Sequence, residues 1–87
     1  MEGYRLIIKP SASKELQAIT DKDTLLRLIE RIKLLQVQPR PSGSEKLAGR
    51  LSLYRVRQGN YRVIYSVDDQ SHVVDIIKVG HRRDVYR

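Results

Sequence analysis

Residues 50–62 determine the fold that this sequence is expected to adopt, and they read RLSLYRVRQGNYR. Gly59 and Asn60 separate two segments in which apolar and polar side chains alternate. A Gly-Asn pair between two such segments is typical of a β-hairpin with a two-residue turn. The stretch therefore predicts two antiparallel strands in which Arg57 lies opposite Arg62.

This hairpin is expected to have one basic and one apolar face, because side chains alternate between the two faces of a strand. Arg55, Arg57 and Arg62 share the basic face. The apolar face carries Tyr54, Val56, Tyr61, Val63 and Tyr65. Like charges directly opposite each other destabilise a sheet, whereas the planar guanidinium group suits phosphate. We therefore predict that these arginines hold an anion; the plainer alternative is a sheet edge protected by charge.

The composition indicates one small, basic domain. The 87 residues suffice for a single modest core, so residues 1–87 are interpreted as one domain. The net charge of +7 favours an acidic or polyanionic partner. The absence of cysteine excludes disulfides and thiolate chemistry. There is no long apolar run and no signal-peptide pattern, so we expect an intracellular protein without membrane contact.

The segments before the hairpin predict one strand and two helices. Residues 4–9 alternate like a first strand, which ends at Pro10. A short helix follows, capped by Ser11 or Ser13, and a longer helix is capped by Asp21. Apolar residues recur at helical spacing in the longer helix: Leu25, Leu28, Ile29, Ile32 and Leu35. Its charged residues are expected to point to solvent: Arg27, Glu30, Arg31 and Lys33.

The rest of the chain completes an α+β fold. Residues 38–49 are rich in proline and glycine and predict a loop without regular structure. Residues 61–67 and 72–79 predict two strands that continue the hairpin, the last ending at Gly80. The order is β-α-α-β-β-β, with two antiparallel helices packed on one face of a mainly antiparallel sheet. Since the apolar face of the hairpin meets the helices, the basic face is expected to be open to solvent.

Residues 81–87 form a second basic cluster, HRRDVYR. His81 can titrate near neutral pH and serve as an acid or a base. Tyr86 can stack on an exposed nucleic-acid base. Two isolated histidines predict no metal site, and the sequence has no glycine-rich phosphate loop that would indicate a cofactor.

Several segments together resemble the RelE family of bacterial and archaeal toxins, within the RelE/ParE superfamily. They are LYRVR at 53–57, GNYRVIY at 59–65 and VGHRRDVYR at 79–87. The resemblance implies a cytoplasmic toxin of a type II toxin–antitoxin pair that cleaves mRNA in the ribosomal A site without a metal or cofactor. It also implies an acidic, RelB-like antitoxin as partner in a hetero-oligomer, besides the ribosome and mRNA.

The resemblance also implies roles for individual residues. Arg55 and Arg57 match basic positions of the family's second strand, and Arg62 matches the arginine that holds the scissile phosphate. Arg82 matches the tail arginine near the leaving group, and Tyr86 matches the tyrosine that stacks on the mRNA base. Further RNA contacts are expected from Lys46, Arg50, Arg83 and Arg87.

The predicted site is rich in charge and poor in proton acceptors. In RNA the 2′-hydroxyl is the nucleophile, and arginine stays protonated at ordinary pH. Proton transfer is therefore expected from His81, Tyr86 or a group on the ribosome. Two alternatives are a ParE-like toxin of the same fold, which inhibits DNA gyrase and needs no nuclease residues, and a non-catalytic RNA- or DNA-binding module that uses the same basic patch. The arginine cluster argues against the first.

Overall fold

The computed structural model describes residues 3–47 and 53–81. Their elements in chain order are β1 (Arg5–Ile8), α1 (Pro10–Gln17), α2 (Lys22–Leu34), β2 (Glu45–Lys46), β3 (Leu53–Gln58), β4 (Tyr61–Asp68) and β5 (Val73–His81). The strands form one sheet in the order β1-β5-β4-β3-β2. Among the strands of the described residues, β1 and β5 pair in parallel and the other pairs are antiparallel. This arrangement confirms the predicted α+β fold and adds the short strand β2 within the predicted loop.

The hairpin forms in the predicted register. Arg57 pairs with Arg62, and Arg55 pairs with Ile64. Gly59 has a φ of +62°, a left-handed conformation that glycine adopts without steric cost. The turn therefore places both arginines of the like-charge pair on one face of the sheet, as expected from the alternation.

The core lies between one face of the sheet and the two helices. The helices contribute Ala12, Leu16, Leu28, Ile32 and Leu35 to it. The sheet contributes Tyr54, Val56, Val63, Tyr65, Val67, Val74, Ile76 and Val79. The apolar face of the hairpin is thus buried against the helices, and the basic face points the other way.

The two helices begin differently: α2 has a side-chain cap, and α1 begins with a proline. Asp21 caps α2 as predicted, and its side chain accepts a hydrogen bond from the Thr24 backbone N–H at 3.3 Å. The predicted cap of α1 is wrong: the helix begins at Pro10, before Ser11, and the N-cap residue Lys9 makes no side-chain cap. Proline suits the first helical position because its missing N–H would have no partner there.

Strand β5 runs past its predicted end. Gly80 pairs with Arg62 and His81 with Tyr61, so the prediction that Gly80 breaks the strand is wrong. Glycine weakens a strand, but it keeps both backbone hydrogen-bonding groups. Pairing with β4 therefore outweighs the local preference of the residue.

A β-bulge interrupts the pairing of β4 with β5. Tyr65 pairs with Ile76 and Ile64 with Lys78, so the register skips Ile77. A bulge disrupts the ladder locally and frees backbone groups of the longer strand. These groups must find other partners.

Helix α1 supplies partners near the bulge. The Glu15 carboxylate accepts a hydrogen bond from the Val79 backbone N–H at 2.8 Å and from the Lys78 ammonium at 2.8 Å. The Ser11 hydroxyl donates to the Ile77 carbonyl at 3.3 Å. The bulge and α1 therefore hold each other in place.

The Tyr65 hydroxyl is expected to stabilise the fold. Its side chain is fully buried, and the hydroxyl donates to the Pro39 carbonyl at 2.7 Å. Tyr65→Phe removes this bond and leaves a carbonyl without its partner, so we expect it to lower the free energy of unfolding by about 1 kcal/mol at neutral pH. Urea unfolding measures the change. Tyr61→Phe, at a half-exposed position of β4, is the matched control and should change little.

The pH dependence gives a second readout of the same substitution. Burial, as the largest cause, raises the pKa of Tyr65 above its ordinary value of 10.0. Folding then favours the neutral phenol, so its contribution is complete below pH 10 and is lost as the pH rises through the folded pKa. The alkaline loss of stability should be shallower in Tyr65→Phe than in the parent. Equal slopes above pH 10 would contradict this account.

Candidate anion-binding site

A cleft of about 320 Å³ lies on the basic side of the hairpin. Its volume is that of a small ligand pocket. Its lining residues, which define the arginine cleft, are Arg31, Gly43, Glu45, Arg55, Arg57 and Arg62. Four guanidinium groups therefore face a single carboxylate in this lining, and the excess of positive charge suits an anionic ligand.

The hairpin register brings the three predicted arginines together. Arg57 lies directly opposite Arg62 in the ladder, and Arg55 is the next residue along β3 on the same face. Arg57 is exposed, whereas Arg55 and Arg62 are half-buried. The basic face is thus less open than expected, because β2 extends the sheet beside Arg55.

Strand β2 introduces a carboxylate that the sequence analysis missed. Glu45 pairs with Arg55, and its carboxylate accepts a hydrogen bond from the Arg55 guanidinium. This hydrogen bond, the charge of Arg55 and then the charge of Arg62 lower the pKa of Glu45. The carboxylate is therefore ionised at neutral pH. A two-residue strand is too short for alternation to reveal, so no local signal marked Glu45.

Arg31 reaches the arginine cleft from α2. Its side chain is half-buried, and a Cβ built on Gly43 would lie 3.9 Å from its Nη2 atom. The prediction that Arg31 points to solvent is wrong. A signal was available: Arg31 follows Leu28 by three residues and precedes Leu35 by four, so it borders the buried stripe of the helix.

The start of the loop between α2 and β2 is fastened to the sheet. The Arg40 guanidinium donates to the Asp69 carboxylate at 2.8 Å and to the Tyr54 hydroxyl at 2.9 Å. The Tyr4 hydroxyl donates to the same carboxylate at 2.7 Å. The hydrogen bonds from Arg40 and then Tyr4 lower the pKa of Asp69. These contacts limit where the loop can place the residues that follow it in the cleft.

Two predicted site residues lie on the helix-side face of the sheet. Lys46 pairs with Tyr54, and His81 pairs with Tyr61. The His81 ring contacts the Tyr61 ring edge-on, with centroids 5.6 Å apart. Residues paired across strands share a face, so the structure does not bring Lys46 or His81 together with the arginines. Five further predicted residues lie outside the described part of the chain: Arg50, Arg82, Arg83, Tyr86 and Arg87.

Within residues 3–47 and 53–81, no group of three or more histidine and acidic side chains is arranged to hold a metal ion. Neither helix in the described part of the chain is long and apolar enough to cross a membrane.

Comparison with known proteins shows which family the chain belongs to. Residues 6–86 match the family described as ParE toxin of type II toxin–antitoxin system, parDE. The chain is 30% identical to toxin RelE of Mycobacterium tuberculosis over 84 residues, which cover 97% of this chain and 87% of the relative. The chain belongs to the RelE family of the RelE/ParE superfamily. It is a toxin of the type II toxin–antitoxin class.

Solved structures of RelE toxins share its fold. The archaeal RelE–RelB complex from Pyrococcus horikoshii contains a chain that superposes with a TM-score of 0.81 at 36% identity, covering 92% of this chain and 96% of that one. The intact RelBE complex of E. coli gives a TM-score of 0.78 at 28% identity, covering 90% and 95%. The five-stranded sheet of this toxin is therefore the RelE fold.

Glu45 is expected to compete with anions for Arg55. Glu45→Gln removes the carboxylate charge from the arginine cleft, and sulfate should then bind about two- to threefold more tightly, because solvent screens the exposed carboxylate. Isothermal titration of the purified toxin with sulfate measures this affinity. Glu30→Gln, with the same charge change on an exposed position of α2, is the matched control. If both variants bind sulfate like the parent, Glu45 does not compete for the site.

Proposed function

We propose that this toxin is a ribosome-dependent endoribonuclease whose single domain, residues 1–87, cleaves mRNA in the ribosomal A site. The observation that carries the proposal is the convergence of Arg55, Arg57 and Arg62 on one cleft. Guanidinium groups bind phosphate through charge-assisted hydrogen bonds. A RelE-family fold with this surface is well suited to hold an RNA backbone.

The proposed reaction is attack of a ribose 2′-oxygen on the adjacent phosphorus. The P–O5′ bond breaks, and the departing O5′ takes a proton from water, which leaves a 2′,3′-cyclic phosphate and a 5′-hydroxyl. The enzyme must hold the phosphate in line and neutralise the charge that develops on its oxygens. We assign the scissile phosphate to Arg62, with Arg55 and Arg57 as the neighbouring cations. The assignments of Arg82 to the leaving group and Tyr86 to base stacking are proposals from the family resemblance alone.

Glu45 is our proposal for the group that accepts the 2′-hydroxyl proton. It lines the arginine cleft, and its lowered pKa keeps the carboxylate in the basic form at neutral pH. A lowered pKa also makes it a weak base. In the proposed reaction, alignment of the substrate by the ribosome compensates for this weakness. His81 is separated from the arginines by the sheet and is a poorer candidate. The metal-independence of the reaction is part of the proposal.

A RelB-like antitoxin is the proposed partner. The P. horikoshii and E. coli relatives occur in complexes with RelB. The net charge of +7 suits an acidic partner in a toxin–antitoxin hetero-oligomer. The proposed site of action is the cytoplasm, where translating ribosomes are found.

A second candidate function is inhibition of DNA gyrase, because the matching family is described as ParE toxin. Two assays separate the candidates: transcript integrity in a translating extract and DNA supercoiling by gyrase. The nuclease proposal expects cleaved transcripts and normal supercoiling. Arrest of growth with intact mRNA would overturn it, and inhibited supercoiling would favour the ParE-like activity.

Arg62→Ala is expected to abolish toxicity. Loss of the cation that holds the scissile phosphate should lower the cleavage rate by about 10²–10³-fold, as removal of one transition-state donor does in other enzymes. Growth after induction and the rate of transcript cleavage measure the effect, and the melting temperature checks the fold. Lys33→Ala, an exposed cation of α2, should remain toxic. Full toxicity of a folded Arg62→Ala variant would refute the assignment.

Glu45→Gln should separate binding from chemistry. Removal of the proposed base should lower kcat by about 10²-fold, the low end of the usual contribution of general acid–base catalysis, because the lowered pKa makes Glu45 a weak base. The KM for ribosome-bound mRNA should stay equal or fall, because Arg55 loses its competing carboxylate. Single-turnover cleavage on programmed ribosomes measures both quantities. An unchanged kcat would exclude Glu45 as the base.

A further inference from the structure

Arg31 carries a charge that the described part of the chain does not compensate. Its Nε atom is buried and makes no hydrogen bond to any residue in 3–47 or 53–81. No carboxylate in the same ranges lies within ion-pair distance of its guanidinium. Burial of the Nε donor without a hydrogen-bond partner costs free energy. An anion bound beside Arg31 would remove that cost.

A tight turn leaves the end of the Arg31 side chain accessible from the cleft. The Ser44 backbone N–H donates to the Pro41 carbonyl at 3.0 Å, and Gly43 within this turn has a φ of +94°. Side chains rarely accompany such a φ, so glycine is required there. A Cβ on Gly43 would lie 3.9 Å from the Arg31 Nη2 atom, so glycine leaves this side of the guanidinium uncovered by its own residue.

The acid of the cleft does not neutralise Arg31. Glu45 accepts its hydrogen bond from Arg55, and the cations that lower the pKa of Glu45 are Arg55 and Arg62. Arg31, on α2, lines the same cleft as the hairpin arginines. Its charge therefore adds to that of the hairpin.

We propose that Arg31 is a fourth phosphate-binding cation, which contacts the backbone of a single-stranded RNA held in the arginine cleft. The strand then meets cations from two parts of the fold: Arg31 on α2, and the arginines of β3 and β4. This inference rests on the proposed function for the identity of the ligand, and it adds a binding residue that the hairpin motif does not contain.

Binding of a non-cleavable RNA tests the proposal. The probe is a short single-stranded RNA with 2′-O-methyl groups at every position, and fluorescence anisotropy over a range of salt concentrations measures its affinity for the purified toxin. Arg31→Gln should raise the Kd by about tenfold, the loss of one charge-assisted contact. It should also reduce the slope of log K against log salt by about 0.7, the value for one phosphate contact on a single strand.

Two further variants show whether the effect is local. Arg31→Lys keeps the charge and should retain most of the salt slope. Arg27→Gln removes an exposed cation one turn earlier on α2. Arg27 lies beside the hairpin turn and outside the arginine cleft, so this variant should bind the RNA probe nearly as tightly as the parent. An unchanged Kd and slope for Arg31→Gln, or equal losses for Arg31→Gln and Arg27→Gln, would overturn the proposal.

A measurement on the parent protein covers the case in which Arg31→Gln does not fold. Phenylglyoxal modifies accessible guanidinium groups, and mass spectrometry locates the modified residues. The 2′-O-methyl RNA should protect Arg31 and leave Arg27 reactive. Modification of Arg31 at the same rate with and without saturating RNA would refute the contact.

The outcomes distinguish this inference from the nuclease proposal. If the parent cleaves ribosome-bound mRNA while Arg31→Gln binds the probe normally, the nuclease proposal stands and the role of Arg31 is refuted. If the parent leaves transcripts intact while Arg31→Gln loses affinity and salt slope, the role of Arg31 stands and the nuclease proposal is refuted.

Discussion

The pairing of Arg57 with Arg62 across one hairpin is the constraint on which the site depends. A typical cross-strand pair changes stability by about 0.2–1 kcal/mol, so this repulsion is small. Burial of one large apolar side chain contributes about 1.5–3 kcal/mol, and the opposite face of the hairpin buries Val56, Val63 and Tyr65. A slip by one residue would exchange the two faces. Burial of the apolar face therefore forces the arginines together.

The elements around the hairpin turn a charged surface into a cleft. Helix α1 is held at the bulge of β5 through Glu15, and the loop before β2 is held through Arg40 and Asp69. The second of these contacts limits where the loop can place Glu45 beside Arg55. Fixed cations need not reorganise when negative charge develops on a bound phosphate, which is the condition for electrostatic catalysis.

The electrostatics of the cleft explain how the toxin can be rich in cations and still remain folded. The hairpin cations lie close to the carboxylate of Glu45, which compensates part of their charge in the absence of a ligand. The remaining positive charge is what an RNA phosphate would neutralise. The arrangement binds an anion more readily than it deprotonates a hydroxyl, as the proposed ribosome-dependent reaction would require.

The sequence by itself determined the hairpin, its register, the two faces and the α+β class, because turn chemistry and strand alternation are properties of neighbouring residues. It could not locate Glu45 or Arg31 in the cleft, or His81 on the far face. The position of Glu45 depends on a two-residue strand, and that of Arg31 on the edge where α2 meets β3. The position of His81 depends on β5 continuing through Gly80. Each depends on contacts between segments distant in the chain, where tertiary packing outweighs local preference. Only the tertiary structure therefore decided which charged groups share the arginine cleft.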